Sequence, residues 1–168
     1  DGKFTNGATE KTIGIECPAN KRIFASVPRG NEADVDIAVK SSLKAFGSWS
    51  KVMPKERGRI LLKIADAIEI EKEDIAKIIA TETGNAIKTQ ARPEINLVVD
   101  IFRYFGGLSS ELKGETIPLG EHVLSYTRRE PLGVVGAIIP WNAPVMLGAC
   151  KIAPALCAGN TLVMKAAE

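Results

Sequence analysis

The heptapeptide IIPWNAP, residues 138–144, places an amide side chain where a buried strand should turn. Asn142 offers two N–H donors without a charge, and Pro140 and Pro144 restrict the backbone on either side of it. Held rigidly, such a donor can stabilise a developing oxyanion, an effect of about 3–4 kcal/mol in known enzymes. Asparagine is also a common helix cap, which is the favoured interpretation on local grounds, and the two roles are compatible.

Lys165 and Glu168 form a second polar pair, three residues apart after the apolar stretch NTLVM. Lysine can donate to ribose hydroxyl oxygens, and the carboxylate can accept from the diol while disfavouring a 2′-phosphate. The alternative is a solvated surface ion pair, the commoner outcome for such a couple. The first strand of this region, LGVVGAII, lacks a G-x-G-x-x-G turn, so the usual dinucleotide fingerprint is absent.

Three cysteines, Cys17, Cys150 and Cys157, lack the dense spacing of a disulfide framework. Their odd number indicates reduced thiols and predicts a cytoplasmic protein. Cys150 and Cys157 lie seven residues apart, on one face of a helix, and we interpret them as packing thiols. The only histidine, His122, is remote in sequence, so no metal site is predicted.

The composition is that of one ordinary globular domain: 168 residues, 45% hydrophobic and 25% charged, with a net charge of +2. No apolar run reaches the roughly 18 residues that a membrane span needs. Basic residues are scattered among acidic ones. We therefore expect neither a membrane nor a nucleic acid as partner.

The first two thirds of the chain predict a hairpin or meander at a sheet edge over residues 11–30, followed by four helices. The boundary signals are Asn31 with Asp34 in a capping box, Pro54 at a first helical position, Gly84 after a helix end and Pro93 near a helix start. Apolar residues at helical spacing mark the predicted buried faces. They are Val35, Ala38, Val39, Leu43 and Phe46; Ile60, Leu61, Ile64, Ala65 and Ile68; Ile75, Ile78 and Ile79; and Ile95, Val98, Val99, Phe102 and Phe105.

The last third changes pattern. LGVVGAII predicts a parallel strand that is covered on both faces. A helix is predicted next, and Pro154 should kink or shorten it. NTLVMKA then predicts a second strand. Lys151 lies in that helix, and we expect its ammonium to reach the surface rather than a cleft. The fold class is therefore α/β, with helices first and the start of a parallel sheet at the end, in a domain that we expect to be incomplete.

The segment from 130 to 168, EPLGVVGAIIPWNAP…K…PALCAGNTLVMKAAE, resembles the aldehyde dehydrogenase superfamily. Its pattern is EP-x-GVV-x-x-I-x-PWNFP followed by K-x-x-PAL-x-x-GN-x-V-x-KP-x-E. Trp49, ERGRILLKIADAIE and FRYFGGLSSELKGETIP also resemble the family's N-terminal helices. The resemblance divides the chain into cofactor-domain strands and helices (1–118), an oligomerisation strand with its connection (119–130) and the first βαβ unit of a Rossmann-like NAD-binding sheet (131–168).

The resemblance implies an oxidoreductase that converts an aldehyde to a carboxylate through a cysteine thioester, with NAD rather than NADP favoured as cofactor. It further implies a homodimer or homotetramer. The implied site residues are Asn142 as oxyanion donor, Lys151 in a charge relay, Lys165 and Glu168 on the adenosine ribose, and the main chain of Ile138, Ile139, Pro140 and Trp141 along the cofactor cleft.

A substrate tunnel is implied at Leu97, Ala143, Met146, Leu147 and Cys150. Ala143 and Cys150 are small where the family often has aromatics, which predicts a roomier tunnel mouth.

The family's nucleophilic cysteine and base glutamate have no match in the chain. We therefore expect these 168 residues to be inactive without the remainder of a parent chain. The alternatives are a truncated assembly module and a relative that passes the acyl group to coenzyme A.

Overall fold

The structure is a computed structural model that describes residues 4–168; residues 1–3 of the predicted segment 1–118 lie outside the described range. Its order of elements is strand, strand, four helices, strand, strand and a final βαβ unit. The elements are β1 (Thr12–Cys17), β2 (Arg22–Pro28), α1 (Glu32–Trp49), α2 (Pro54–Ile70), α3 (Lys72–Thr83), a π-helical turn (Ile87–Ala91), α4 (Arg92–Leu108), a 3-10 turn (Ser109–Glu111), β3 (Thr116–Pro118), β4 (Leu124–Tyr126), β5 (Val134–Ile138), α5 (Pro144–Cys157) and β6 (Thr161–Lys165).

Two antiparallel hairpins flank the helices. The first, β1 with β2, confirms the hairpin predicted over residues 11–30. The second pairs Thr116–Pro118 with Leu124–Tyr126. Leu124–Tyr126 lies in the segment for which the resemblance implies an oligomerisation strand, whereas no strand was predicted at Thr116–Pro118. The predicted segment boundary at residue 118 therefore falls inside a hairpin. A strand as short as Thr116–Pro118 gives too little alternation to stand out in a sequence.

Helix α1 begins as predicted. The Asn31 side chain accepts from the Asp34 amide at 3.1 Å, and the Asp34 carboxylate accepts from the Asn31 amide at 3.0 Å. The buried stripe predicted for this helix is wrong in large part, since Leu43 is 60% exposed. Helix α1 instead contacts β6 through Ser42, whose hydroxyl donates to the Leu162 carbonyl at 3.2 Å.

The core lies between α2, α4 and α5, with α3 packed at its side. The stripes predicted for α2, α3 and α4 hold for most members but fail for Ile60 and for Ile78, which is 58% exposed. Successive helical residues point about 100° apart, so the neighbours Leu61 and Ile79 take the inward positions. The buried core residues are Leu61, Ala65, Ala76, Ile79, Ala91, Ile95, Val98, Val99, Phe102, Ala149, Ala153 and Cys157.

Helices α2 and α4 approach each other at two glycines. A Cβ added to Gly58 would lie 2.5 Å from the Gly106 carbonyl oxygen, closer than real contacts allow. A Cβ added to Gly106 would lie 3.0 Å from the side chain of Leu62. Because neither residue has a side chain, the two backbones can come close enough to carry both helices onto α5.

The βαβ unit is present as predicted. Strands β5 and β6 are parallel, with Val134 opposite Thr161 and Ile138 opposite Lys165. Helix α5 continues for one turn beyond Pro154 and ends at Cys157. The prediction that both strand faces are covered is wrong within residues 4–168, where Ile138 and Met164 remain exposed.

We predict that Gly58→Ala lowers the free energy of unfolding by about 1–3 kcal/mol, because the new methyl group must push α2 away from α4. Chemical denaturation of the purified protein measures this change. The matched control is Gly107→Ala in α4, where an added Cβ meets nothing within 4 Å and stability should stay equal or rise slightly. Equal stability of the two variants would contradict the close approach.

Candidate functional site

The carboxyl ends of β5 and β6 bring the predicted polar residues to one edge of the sheet. Ile138 lies opposite Lys165, and the Ile139 amide donates to the Lys165 carbonyl at 3.1 Å. The segment that follows Ile139 therefore leaves the sheet beside the segment that carries Glu168. This edge is where open α/β sheets bind their ligands.

The segment after β5 stands on the surface, except for one anchor. Ile139 is buried, whereas Ile138, Pro140, Trp141 and Asn142 are exposed, with Trp141 at 75%. The buried Ile139 side chain holds the exit of the strand. The exposed main chain and indole are available to a ligand or to a further part of the protein.

Asn142 does not cap α5. The cap position is held by Ala143, which has no side-chain oxygen, and no side chain of the segment itself bonds to the first turn. Within the described part of the chain, no hydrogen-bond partner faces the Asn142 amide group. The cap interpretation is therefore wrong, because the helix begins one residue later than a capping asparagine requires.

Glu94 supplies the cap that the local sequence lacks. Its carboxylate, on α4, accepts from the amide of Met146, the third residue of α5, at 3.1 Å. Glu94 is only 8% exposed. Sequence analysis missed this residue because an acid in the first turn of α4 is already explained by the dipole of its own helix.

Asn85 makes a second contact with the same segment. Its Nδ2 donates to the main-chain carbonyl oxygen of Asn142 at 3.1 Å. Asn85 follows Gly84, whose left-handed conformation (φ 76°) ends α3, as the sequence predicted. Two residues from the loop and helix after α3 thus hold the backbone on both sides of Ala143.

Arg57 holds the opposite end of α5. Its Nε donates to the Cys157 carbonyl at 3.0 Å and its Nη1 to the Val52 carbonyl at 2.5 Å, although the residue is only 7% exposed. Burial lowers the pKa of Arg57, yet an arginine stays protonated in proteins. A carboxylate at the start of α5 and a guanidinium at its end both match the helix dipole.

Lys165 and Glu168 form an ion pair at the end of β6. Their Nζ and Oε1 atoms are 2.8 Å apart, and their side chains are 57% and 78% exposed. The hydrogen bond from Lys165 lowers the pKa of Glu168, so the carboxylate is charged at neutral pH. The pair is a solvated ion pair in the free protein, and its groups remain accessible to hydroxyls.

The predicted tunnel residues lie on two helices. Leu97 is on α4 and half exposed, and Met146 and Leu147 are half-buried near the start of α5. Ala143, also half-buried, directly precedes that helix. The residue next to Cys150, Lys151, is exposed, as the surface interpretation predicts.

The two cysteines of α5 differ in environment. Cys157 is 2% exposed and lies 3.5 Å from the Ser109 hydroxyl, which fits a packing thiol. Cys150 is exposed, so the packing interpretation is wrong for it. Helix α2 and the 3-10 turn cover this face of α5 near Cys157. They do not cover it at Cys150, two helical turns earlier.

A cleft of about 930 Å³ opens at the other end of the strands, lined among others by Arg57, Arg129, Leu132 and Asn160. It lies beside the amino end of β5, where the Asn160 side chain accepts from the Leu132 and Gly133 amides at 2.6 and 3.0 Å. It therefore lies apart from the carboxyl edge that holds the candidate site.

Across residues 4–168, no helix has both the length and the apolar character needed to cross a membrane. In the same range, no three His, Cys, Asp or Glu residues are grouped as metal ligands would be.

The structure is thus of the α/β class, with the candidate site at the carboxyl ends of two parallel strands. The sequence model of the aldehyde dehydrogenase family matches residues 4–168. The chain belongs to the aldehyde dehydrogenase family. This confirms the resemblance found in the sequence and the predicted α/β fold class.

Individual relatives agree with the family assignment. An aldehyde dehydrogenase of Aspergillus niger is 44% identical over 169 residues, and aldehyde dehydrogenase 1 of Tanacetum cinerariifolium is 41% identical over 170. Each alignment covers 100% of this chain and 34% of the relative. The crystal structure of PnpE in complex with nicotinamide adenine dinucleotide superimposes with a TM-score of 0.96 at 39% identity, over 99% of this chain and 34% of that one. The chain thus spans about a third of the length of the relatives it matches.

We predict that Arg57→Met lowers the free energy of unfolding by roughly 2–4 kcal/mol, because the buried Cys157 carbonyl and the partly buried Val52 carbonyl lose a charged donor. Thermal or urea unfolding measures the loss. The control is Arg59→Met on the same helix, where an exposed ion pair with Glu56 is removed and little should change. A loss no larger than that of Arg59→Met would show that Arg57 does not hold α5.

Proposed function

We propose that this chain supplies the oxyanion donor and the ribose-binding pair of an NAD-dependent aldehyde dehydrogenase, which oxidises an aldehyde to a carboxylic acid. The observation that carries the proposal is the edge shared by β5 and β6. There an exposed amide (Asn142), which has no hydrogen-bond partner among residues 4–168, and an accessible ion pair (Lys165 with Glu168) lie in a chain of this family.

The proposed chemistry begins with a cysteine thiolate, contributed by a part of the protein outside these 168 residues, which attacks the aldehyde carbonyl carbon. The carbonyl oxygen then becomes negatively charged, and the Asn142 Nδ2 group donates a hydrogen bond to it. Asn142 is neutral and cannot lose its protons, so it stabilises the charge without neutralising the oxygen. Once the carbon has lost its hydride, a thioester with the cysteine remains. Water, activated by a glutamate that is also outside these 168 residues, hydrolyses this thioester to the carboxylate and the free thiol.

The chemistry of the residues fits a nicotinamide dinucleotide. In the proposed complex, Lys165 donates to a ribose hydroxyl oxygen and the Glu168 carboxylate accepts from the diol, in place of their mutual contact. A charged carboxylate there opposes a 2′-phosphate, which favours NAD over NADP. NAD, when bound, accepts the hydride of the oxidation. The main chain from Ile138 to Trp141, which is exposed except at Ile139, would line the cofactor cleft. The PnpE complex with NAD supports this choice of cofactor.

We further propose that the protein is a cytoplasmic homodimer or homotetramer. The β3–β4 hairpin supports the assembly part, because Leu124 and Tyr126 are 80% and 67% exposed. A short hairpin with apolar exposed side chains is a surface that a second copy can extend or cover. The free thiols Cys17, Cys150 and Cys157 support a reducing compartment.

We predict that Asn142→Ala in the full-length enzyme lowers the rate of NADH formation about 10²–10³-fold, because the oxyanion loses a donor. The dissociation constant for NAD should stay the same. The absorbance of NADH measures the rate, and a fluorescence titration measures the affinity. The control is Asn96→Ala, an exposed asparagine of α4 outside the site. A near-normal rate would refute the oxyanion role, and a rate that depends on coenzyme A would indicate acyl transfer to a thiol instead of water.

We predict that Ala143→Phe lowers kcat/KM for bulky or branched aldehydes about tenfold more than for acetaldehyde, because an aromatic ring next to Asn142 narrows the tunnel mouth. Competition between two aldehydes in one reaction measures the ratio directly. An unchanged preference would contradict the roomy mouth proposed at Ala143.

A further inference from the structure

We propose that Asn85 and Glu94 are positioning residues that fix the direction of the Asn142 amide, an inference that rests on the proposed oxyanion role of Asn142. Neither residue touches the reacting atoms in this proposal. Both act through the backbone of the segment between β5 and α5.

The Asn142 side chain depends on its backbone for direction. Within residues 4–168 its amide group has no hydrogen-bond partner of its own, and it is exposed. For an amide without a partner, the backbone fixes the positions of Cα and Cβ and limits which side-chain rotamers are allowed. An oxyanion donor must lie within about 0.5 Å of its productive position, so the backbone here must be held from outside.

The first anchor is Asn85. Its Nδ2 donates to the Asn142 carbonyl at 3.1 Å, across 57 residues of sequence. Asn85 is itself fixed, because its main-chain N–H donates to the Thr83 hydroxyl at 3.1 Å. Asn85 directly follows Gly84, which has a left-handed conformation. This contact holds the peptide group on the carboxyl side of Asn142.

The second anchor is Glu94. Its buried carboxylate accepts from the Met146 amide at 3.1 Å, in the first turn of α5, where Ala143 offers no cap. A buried carboxylate is costly unless something compensates it, and the N-terminal dipole of α5 supplies the compensation. The Leu147 amide then donates to the Ala143 carbonyl at 3.0 Å, which continues the restraint back to the residue after Asn142.

Both anchors belong to the segment from the end of α3 to the first turn of α4. Asn85 holds the carbonyl of Asn142, and Glu94 holds the helix that starts two residues later. With both in place, the Asn142 backbone is restrained on either side of Ala143. Loss of either anchor should therefore misdirect the amide while the ribose pair at the end of β6 is unaffected.

The test uses the full-length enzyme with Glu94→Ala, Glu94→Gln and Asn85→Ala. We expect Glu94→Ala and Asn85→Ala to lower kcat roughly 10–100-fold, with the dissociation constant for NAD unchanged. Glu94→Gln keeps an acceptor oxygen and should recover most of the rate. Hydrogen exchange of the Met146 amide should speed up in Glu94→Ala and stay slow in Glu94→Gln.

The control for mere loss of stability is Val98→Ala, which opens the buried face of the same helix α4 and removes no hydrogen bond to the segment after β5. Its Tm should fall, with kcat retained. Equal kcat losses in Glu94→Ala and Val98→Ala at matched Tm would overturn the positioning role. So would a Glu94→Gln enzyme no faster than Glu94→Ala.

A double-mutant cycle separates this inference from the proposed function. If Asn85 and Glu94 act through the Asn142 amide, then Glu94→Ala adds no further kcat loss in an Asn142→Ala background. Additive losses would overturn the positioning inference and leave the oxyanion role intact. A near-normal rate of Asn142→Ala alone would overturn the proposed function, and the positioning inference with it.

Discussion

Helix α5 is held at both ends by charged side chains from other helices, and the rest of the structure depends on this restraint. Glu94 of α4 accepts from its first turn, and Arg57 of α2 donates to its last carbonyl. Each side chain has a charge opposite in sign to the partial charge of the helix end that it contacts, so both interactions are stabilising. An apolar helix with an alanine at its cap position and a proline in its last turn has little else to fix its two ends.

The same restraint requires α2 and α4 to be close together. Gly58 and Gly106 allow the two backbones to meet, and Gly58 directly follows Arg57 in sequence. The crossing point of the helices and the C-terminal anchor of α5 are therefore set by neighbouring residues. The buried face of α4, with Ile95 and Phe102, then packs against the positioned helix.

The geometry of the candidate site depends on the position of α5. Helix α5 connects β5 to β6 along the chain, so fixing it restrains the segment after β5 and the start of β6. The pairing of Ile138 with Lys165 then brings the carboxyl ends of the two strands together. Asn142 lies at one strand end and the Lys165–Glu168 pair follows the other. The chemistry proposed for this edge therefore depends on helices whose own side chains are not part of the site.

Short-range patterns in the sequence predicted the parts that depend on neighbours. The sequence predicted three such features: the Asn31–Asp34 capping box, the order of the βαβ unit and the polar residues after each strand. Each of them involves residues close in sequence or a regular period. The resemblance to the family was detected for the same reason, because its motifs are dense in the sequence. The buried stripe predicted for α1 failed, because apolar spacing identifies one face of a helix but not the element that packs against it.

The tertiary structure alone decided how the segment around Asn142 is held. The sequence suggested that Asn142 caps α5, whereas Glu94 does so from 52 residues away and Arg57 holds the far end across 100 residues. A hydrogen bond between distant residues exists only once helix packing brings donor and acceptor within about 3 Å, and no local pattern encodes that distance. The sequence therefore indicated the candidate residues for the proposed chemistry, and the packing of α2 and α4 determined how they are held.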